Sequence, residues 1–334
     1  MTHEFTDLTR LAGGFAEARA IQAAVKLGLF DALAGGNLDA VEVASRLQTD
    51  PRATEVLLHA LAAIGILGKN DQRFSLTSVS AAYLVQSSPR YLGGMILFDA
   101  SLWDAWGRLE ETVRSGLPPR APDMFQGRPE ETGRFIAAMH SLVEARGDAA
   151  YVAENLDFEG VKRLLDVGSG PGTYPVHFCR RVPDLRVTIF DLPGTLEITE
   201  KFIAGSGVED RITLHSGDYR VDPLPRGFQM AFLSNIIHGE SGEENERLIS
   251  RLHGALEPGG RIVIKDHILD DGMTYPPAGA VFSLLMLLTT AKGRCYSFSE
   301  VKGWLEKTGF GRIAEIPLPS PPFTSSLVVA EKAR

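Results

Sequence analysis

Only two cysteines, Cys179 and Cys295, occur in 334 residues, which is too few for a disulfide framework or a cysteine zinc site. Acidic residues outnumber basic ones, 42 to 34, for a formal charge of −8. That balance disfavours nucleic acid or an anionic membrane as the main partner. Long apolar runs are also missing. The longest uncharged stretch, Met273–Ala291, opens with a Pro pair and Gly, which leaves an apolar helix too short to span a bilayer and suited to burial. The start, Met-Thr-His-Glu-Phe-Thr-Asp, has neither the basic region nor the apolar core of a signal peptide, so the cytoplasm is the expected address. His3, His59, His140, His177, His215 and His253 have no metal-ligand spacing, and no metal is expected. No repeat or low-complexity segment is present. What remains, 44% hydrophobic and 23% charged residues, describes a globular chain large enough for two domains.

Residues 15–86 read as helical, with apolar positions at helical spacing. A short helix is expected from Asp39. A second, Pro51–Leu67, has Asp50 as N-cap and Pro51 at its first position. Gly68-Lys69-Asn70-Asp71 reads as a turn leading to a wing at Phe74-Ser75-Leu76. A winged helix suggests DNA, but residues 38–86 carry Asp39, Glu42, Asp50, Glu55 and Asp71 against Arg46, Arg52, Lys69 and Arg73. The would-be recognition helix is apolar from Val56 to Ile64, which favours packing or dimerisation over base reading. A helical bridge follows, with Trp103 and Trp106 on one helix, a Pro/Gly-rich loop at 116–128, and Phe135, Met139 and His140 on another helix. From residue 161 strands alternate with helices. The strand ends near Asp166, Asp191, Gly217, Ile236 and Asp266 predict a doubly wound parallel sheet, Rossmann-like, within an α/β class. A hairpin over 312–318 and 326–331 closes the chain. The expected boundaries are 1–100, 101–154 and 155–334.

The densest signal is Leu164-Leu-Asp166-Val-Gly168-Ser-Gly170-Pro-Gly172-Thr173. A strand that breaks into three alternating glycines makes a tight turn that a ligand can approach closely. Thr173 occupies the place of the dinucleotide fingerprint's third glycine, so that fingerprint fails. Asp191 ends the next strand, 19 residues beyond Gly172, where a carboxylate can accept from both hydroxyls of a ribose. The carboxyl ends of the other strands add Asp218, able to accept from an adenine amino group, and Tyr219, able to pack on the ring. His238 follows the fourth strand. Taken alone it reads as a capping or solvated residue, but beside a nucleoside site it reads as a base. Asp266 can then hydrogen-bond its far nitrogen and fix the tautomer. His267 reads as structural, turned from the Asp266 face by strand alternation.

These motifs together resemble a bacterial member of the plant-type class I S-adenosylmethionine-dependent O-methyltransferases, the hydroxyindole, caffeate and polyketide group. The similarity covers nearly the whole chain, including the winged helix, Asp166–Gly172, Phe190-Asp191-Leu192-Pro193, Gly217-Asp218 and Leu256-Glu257-Pro258-Gly259-Gly260. It implies a class I methyltransferase sheet domain and a dimerising winged-helix domain, with a bridge lining the acceptor pocket. S-adenosylmethionine would be held by Asp166, Gly168, Gly170, Gly172, Asp191, Leu192, Asp218, Tyr219 and Ser234. His238 would be the general base, with Asp266 its partner. Phe135, Met139, Asn235, Met286 and Cys295 would line the pocket for a small, phenolic acceptor. A homodimer is implied, with no nucleic acid, membrane or metal. Three positions depart from the family pattern. The base is followed by Gly239-Glu240 where the family often has Asp-Trp. Cys295 stands where a second acidic partner is common, and Ser234 where a basic or other polar cofactor contact is frequent. Two other readings stay open: a relative that keeps the cofactor but performs hydroxylation or decarboxylation, and a winged-helix regulator with a ligand domain.

Overall fold

The computed structural model describes residues 4–123 and 125–334. Met1–His3, with which the first expected domain begins, lie outside the described residues, as does Met124 in the Pro/Gly-rich loop. The chain divides into two compact units. One runs to Trp103 and takes in Ala137–Ala145, and the other comprises Asp104–Ile136 and Arg146–Arg334. The helix Pro129–Arg146 contributes to both.

In the first unit, Asp39 opens the helix Ala40–Leu47 through a capping box. Its Oδ1 accepts from the Glu42 amide at 2.9 Å, and Glu42 Oε2 accepts from the Asp39 amide at 2.8 Å. Asp50 caps Pro51–Ala63 by accepting from the Ala53 amide at 2.8 Å. The wing is a hairpin of β1 (Leu67–Asn70) and β2 (Arg73–Leu76). Gly68–Asn70 are therefore strand, and the turn lies at Asp71-Gln72, because Asp71 takes the positive φ of 51°. Leu29, Phe30, Val43, Leu58, Leu61 and Phe74 form the core. The outer face of Pro51–Ala63 offers Arg52, Glu55, Val56, His59 and Ala60, one cation balanced by one anion. The helix Phe5–Gly13 buries none of its residues. Phe5 is 82% exposed, with Leu8, Leu11 and Phe15 all above half.

The second unit is built on a seven-stranded sheet. Its strands are β3 (Arg163–Val167), β4 (Arg186–Asp191), β5 (Ile212–Ser216), β6 (Phe228–Ser234), β7 (Leu256–Asp266) and, after two short strands, β10 (Phe310–Pro317) and β11 (Ser326–Lys332). The order is β10-β11-β7-β6-β3-β4-β5. The five strands from β3 to β7 are mutually parallel, and β11 and β10 join antiparallel. The order reverses at β3, which has β4 on one side and β6 on the other. Ligands bind outside the carboxyl ends of strands at such a reversal. The short strands β8 (Ile268–Leu269) and β9 (Tyr296–Ser297) pair in parallel and bring Tyr296 beside the end of β7. Strand β6 stops at Ser234 rather than Ile236, because Asn235 turns left-handed at φ 59°. No helix among the described residues is long and apolar enough to cross a membrane.

Candidate active site

Strand register aligns the functional side chains along one edge. Asp166 pairs with Phe232, Asp191 with Ser216, Ser234 with Lys265, and Asp266 with Ser326. The glycine turn begins at Gly168, φ +68°, where a Cβ would stand 2.3 Å from Ile236 Cδ1. Gly170, φ +62°, faces open space instead, with only Ile136 Cδ1 at 3.8 Å from its missing Cβ. The turn can therefore be approached at Gly170. Ser169 donates to Asp166 Oδ2 at 2.6 Å, while the buried Oδ1 has no partner among the described residues. Burial, offset in part by Ser169 and reinforced by the charge of Asp191, pushes the Asp166 carboxyl up to about 7.

Asp191 lies beneath the turn and holds it. Its Oδ2 accepts from the Gly170 amide at 2.8 Å and its Oδ1 from the Leu192 amide at 2.7 Å. Burial raises it to about 6 despite those bonds. Each carboxylate oxygen has a second lone pair, so the group can still accept from a ligand. Leu192 is half-buried beside it. Asp218 faces the same edge, but Arg220 grips it from two nitrogens, Nε to Oδ1 at 2.9 Å and Nη2 to Oδ2 at 2.7 Å. This ion pair holds its carboxyl below the usual range. Neighbouring Tyr219 is buried, and Arg251 donates to the carbonyls of Tyr219 and Asp222 to fix the turn.

His238 sits in a single 3-10 turn, Ile237–Gly239. Its Nδ1 meets Asp266 Oδ1 at 2.7 Å. Asp266 is fully buried. Burial alone would raise its pKa, but the His238 ring and the His267 amide, which donates to Oδ1 at 2.7 Å, hold it below the carboxylate range. An anion on that side makes Nδ1 the donor and leaves Nε2 as the free acceptor. The helix Pro277–Thr289 covers the pair. Phe282 presents its ring edge-on to His238 at 4.9 Å, and Met286, one turn further on the same face, is buried. The His267 ring also lies against Phe282, with centroids 4.5 Å apart. Burial lowers its pKa to about 4, so this imidazole is neutral.

Cys295 is fully buried and its amide donates to Ser283 Oγ at 3.1 Å. Burial pushes its thiol up to about 12, which rules out a thiolate in the role of a second anion. Gly293 allows this segment to press on the base. A Cβ there would lie 2.3 Å from the His238 carbonyl oxygen. Phe135 stacks on Phe125 at 4.7 Å, Asn235 is half-buried with its Nδ2 donating to Ser234 Oγ at 3.3 Å, and Met139 is half-buried in the first unit. Among the described residues no cluster of His, Cys, Asp and Glu is arranged to hold a metal.

Lys265 is a polar residue that the sequence reading passed over. It alternates with Asp266 and points to the opposite face of the strand, where its Nζ lies 3.1 Å from Asp148 Oδ2 and 5.7 Å from the Tyr174 ring. All three are buried. The only hint in the sequence was a lysine inside an apolar run.

A sheet of this order, with a glycine turn, an acid ending the second strand and a paired His-Asp at its edge, is that of a class I methyltransferase. The O-methyltransferase domain model matches residues 116–311, and the O-methyltransferase dimerisation domain model matches residues 9–86. The chain is 35% identical over 324 residues to a 3-hydroxy-5-methyl-1-naphthoate 3-O-methyltransferase of Streptomyces sahachiroi, covering 95% of this chain and 92% of the relative. It is 32% identical to the tetracenomycin polyketide synthesis 8-O-methyl transferase TcmO of Streptomyces glaucescens, covering 98% and 97%. The solved structure of PigF with SAH matches at a TM-score of 0.89 and 27% identity, covering 99% and 100%. The chain belongs to the O-methyltransferase family. It is an S-adenosylmethionine-dependent enzyme that methylates a hydroxyl oxygen.

Proposed function

We propose that this enzyme methylates a phenolic hydroxyl of an aromatic small molecule of the polyketide type, with His238 as general base. The observation that carries the reading is the buried Asp266 carboxylate at 2.7 Å from His238 Nδ1, which leaves Nε2 as the proton acceptor. The relatives' names, a 3-hydroxy-5-methyl-1-naphthoate 3-O-methyltransferase and a tetracenomycin polyketide synthesis 8-O-methyl transferase, support the acceptor class. The residues at the glycine turn fit S-adenosylmethionine. The open approach at Gly170 suits its amino-acid part, and the unpartnered Asp166 Oδ1 suits a donor there. Asp191 would take the ribose hydroxyls, with Leu192 beside them, and the Tyr219 ring would pack on the adenine. Asp218, whose two oxygens Arg220 engages, would accept from the adenine amino group by exchanging one of those bonds for it. Ser234, at the carboxyl end of β6 beside β3, would face the methionine part.

When bound, S-adenosylmethionine supplies an electrophilic methyl group on a sulfonium. The chain aligns the acceptor oxygen and removes its proton. A phenol titrates near 10, so His238 takes the proton as the new bond develops, a contribution of roughly 10²–10⁴. Asp266 fixes the ring tautomer and stabilises the imidazolium that forms. Cys295, neutral and buried, adds no charge, so this site works with one acid rather than two. Phe282, Met286 and Phe135 would present apolar surface to the acceptor's rings, and alignment of the reactants contributes more than proton removal.

We also read the exposed apolar face of Phe5–Gly13 and Phe15 as a homodimer surface, with the match to a dimerisation domain in support. The near-neutral outer face of Pro51–Ala63 argues for protein rather than nucleic acid as its partner. Two free, buried thiols suit a reducing compartment such as the cytoplasm. The domain roles follow the sequence: dimerisation to about residue 100, acceptor lining over 101–154, and cofactor binding from 155.

A screen of hydroxylated aromatic compounds, with mass spectrometry for the methyl ether and S-adenosylhomocysteine, tests the function. Equimolar formation of both is the expected result. Cofactor binding without a methylated product across phenols and naphthols would overturn the acceptor class.

A further inference from the structure

Glu240, two residues beyond the base, stands where the family pattern is broken, and its surroundings are unusually specific. Tyr219 donates its hydroxyl to Glu240 Oε1 at 2.8 Å, and both residues are buried. Tyr296 donates to the Glu240 carbonyl oxygen at 2.6 Å. The Tyr219 ring reaches the glycine turn, its Cε1 lying 3.7 Å from where a Cβ on Gly168 would stand. One side chain thus touches the cofactor turn with its ring and the base loop with its hydroxyl. The other holds on this loop come from elsewhere. Asn245 Nδ2 donates to the Ile237 carbonyl at 2.8 Å, Asp266 holds His238, and Gly293 packs on the His238 carbonyl.

We propose that the Tyr219–Glu240 hydrogen bond is a strut that couples occupancy of the nucleoside subsite to the position of the His238 loop. Tyr219 and Glu240 would then be positioning residues for the base. The inference rests on the reading that Tyr219 packs on the cofactor's adenine. A tyrosine ring has two torsions. A base lying on the ring fixes both, and with them the direction of the hydroxyl that Glu240 accepts. Glu240 has few alternatives. Arg220 is committed to Asp218, and Glu244 and Asp218 are like charges nearby. Burial pushes the Glu240 carboxyl up, and the Tyr219 hydroxyl is the main group that opposes this. Because coupling is reciprocal, a loop held in place must in turn favour the bound nucleoside.

Backbone hydrogen exchange over residues 236–241 of the full chain, with and without S-adenosylhomocysteine, tests the strut. The ligand is supplied at a concentration that saturates each variant, so affinity differences drop out. In the native protein the ligand is expected to slow exchange of the Gly239 and Glu240 amides by about tenfold or more. Tyr219→Phe keeps the ring but deletes the donor, and should lose most of that slowing. Glu240→Ala should behave alike, the double variant should lose no more than either single one, and Glu240→Gln, whose amide oxygen accepts the same bond, should restore the effect. Full slowing in folded Tyr219→Phe and Glu240→Ala, or none in the native protein, overturns the strut. Calorimetry on Tyr219→Ala separates the two ideas, since unchanged affinity there would overturn the adenine placement itself.

Discussion

Replacing Asp191 with Ala should weaken S-adenosylhomocysteine binding by about 2–3 kcal/mol, roughly 30- to 150-fold. The figure follows from losing two hydrogen bonds to ribose hydroxyls, each modest in water-accessible surroundings but stronger to a buried carboxylate. The substitution also frees the Gly170 and Leu192 amides that Asp191 holds at 2.8 and 2.7 Å, which loosens the turn. Asp191→Asn keeps one acceptor oxygen and should fall between. A pH dependence accompanies the loss. Burial raises the carboxyl to about 6 in the free protein, whereas ribose donors favour its charged form. Binding must therefore release a proton at acid pH, and affinity should rise from pH 5 towards 7 and be lost as pH falls through about 6. Asp166, at about 7, titrates nearby, so the part of the slope that disappears in Asp191→Ala is the share of Asp191. Calorimetry across pH 5–8 measures both effects. Unchanged affinity in Asp191→Ala, or an unaltered pH slope, would refute the assignment.

Asp266→Asn should lower kcat less than removal of His238, because it disturbs tautomer and orientation but leaves the acceptor. Cys295→Ala should lower it least, and steady-state kinetics rank the three. Lys265→Met should cost about 3 kcal/mol of unfolding free energy, the low end for a broken buried pair, because it leaves the Asp148 carboxylate with only Arg146 at 3.7 Å, with much of it recovered in Lys265→Met/Asp148→Leu; urea denaturation reads both. Sedimentation at micromolar concentration should give a dimer, and Phe5→Asp/Leu8→Asp should shift it to monomer.

Much of the frame was legible because it rests on local rules. Asp39 and Asp50-Pro51 announced their helices, since a capping carboxylate and a proline without an amide suit only the first turn. Asp166, Asp191 and Asp266 ended apolar runs, and parallel topology then gathered them on one edge. Local rules also misled. Ile236-Ile237 extended the apolar run of β6, yet Ile237 is buried from a 3-10 turn rather than from the strand. Gly68 looked like a turn residue but pairs with Ser75. The long-range polar partners left no sequence signal. Tyr219 and Glu240 are 21 positions apart, and Arg251 reaches the Tyr219 carbonyl from 32 positions away. Lys265 meets Asp148 through strand alternation combined with helix placement.

The central claim is that His238 accepts the proton of the methylated hydroxyl. The direct measurement is His238→Gln assayed on an acceptor from the phenol screen, with cofactor affinity measured in parallel. kcat is expected to fall by ~10² or more, with S-adenosylhomocysteine binding nearly intact. Full turnover to the methyl ether in His238→Gln would contradict it, and would leave alignment of the two reactants as the sole source of the rate.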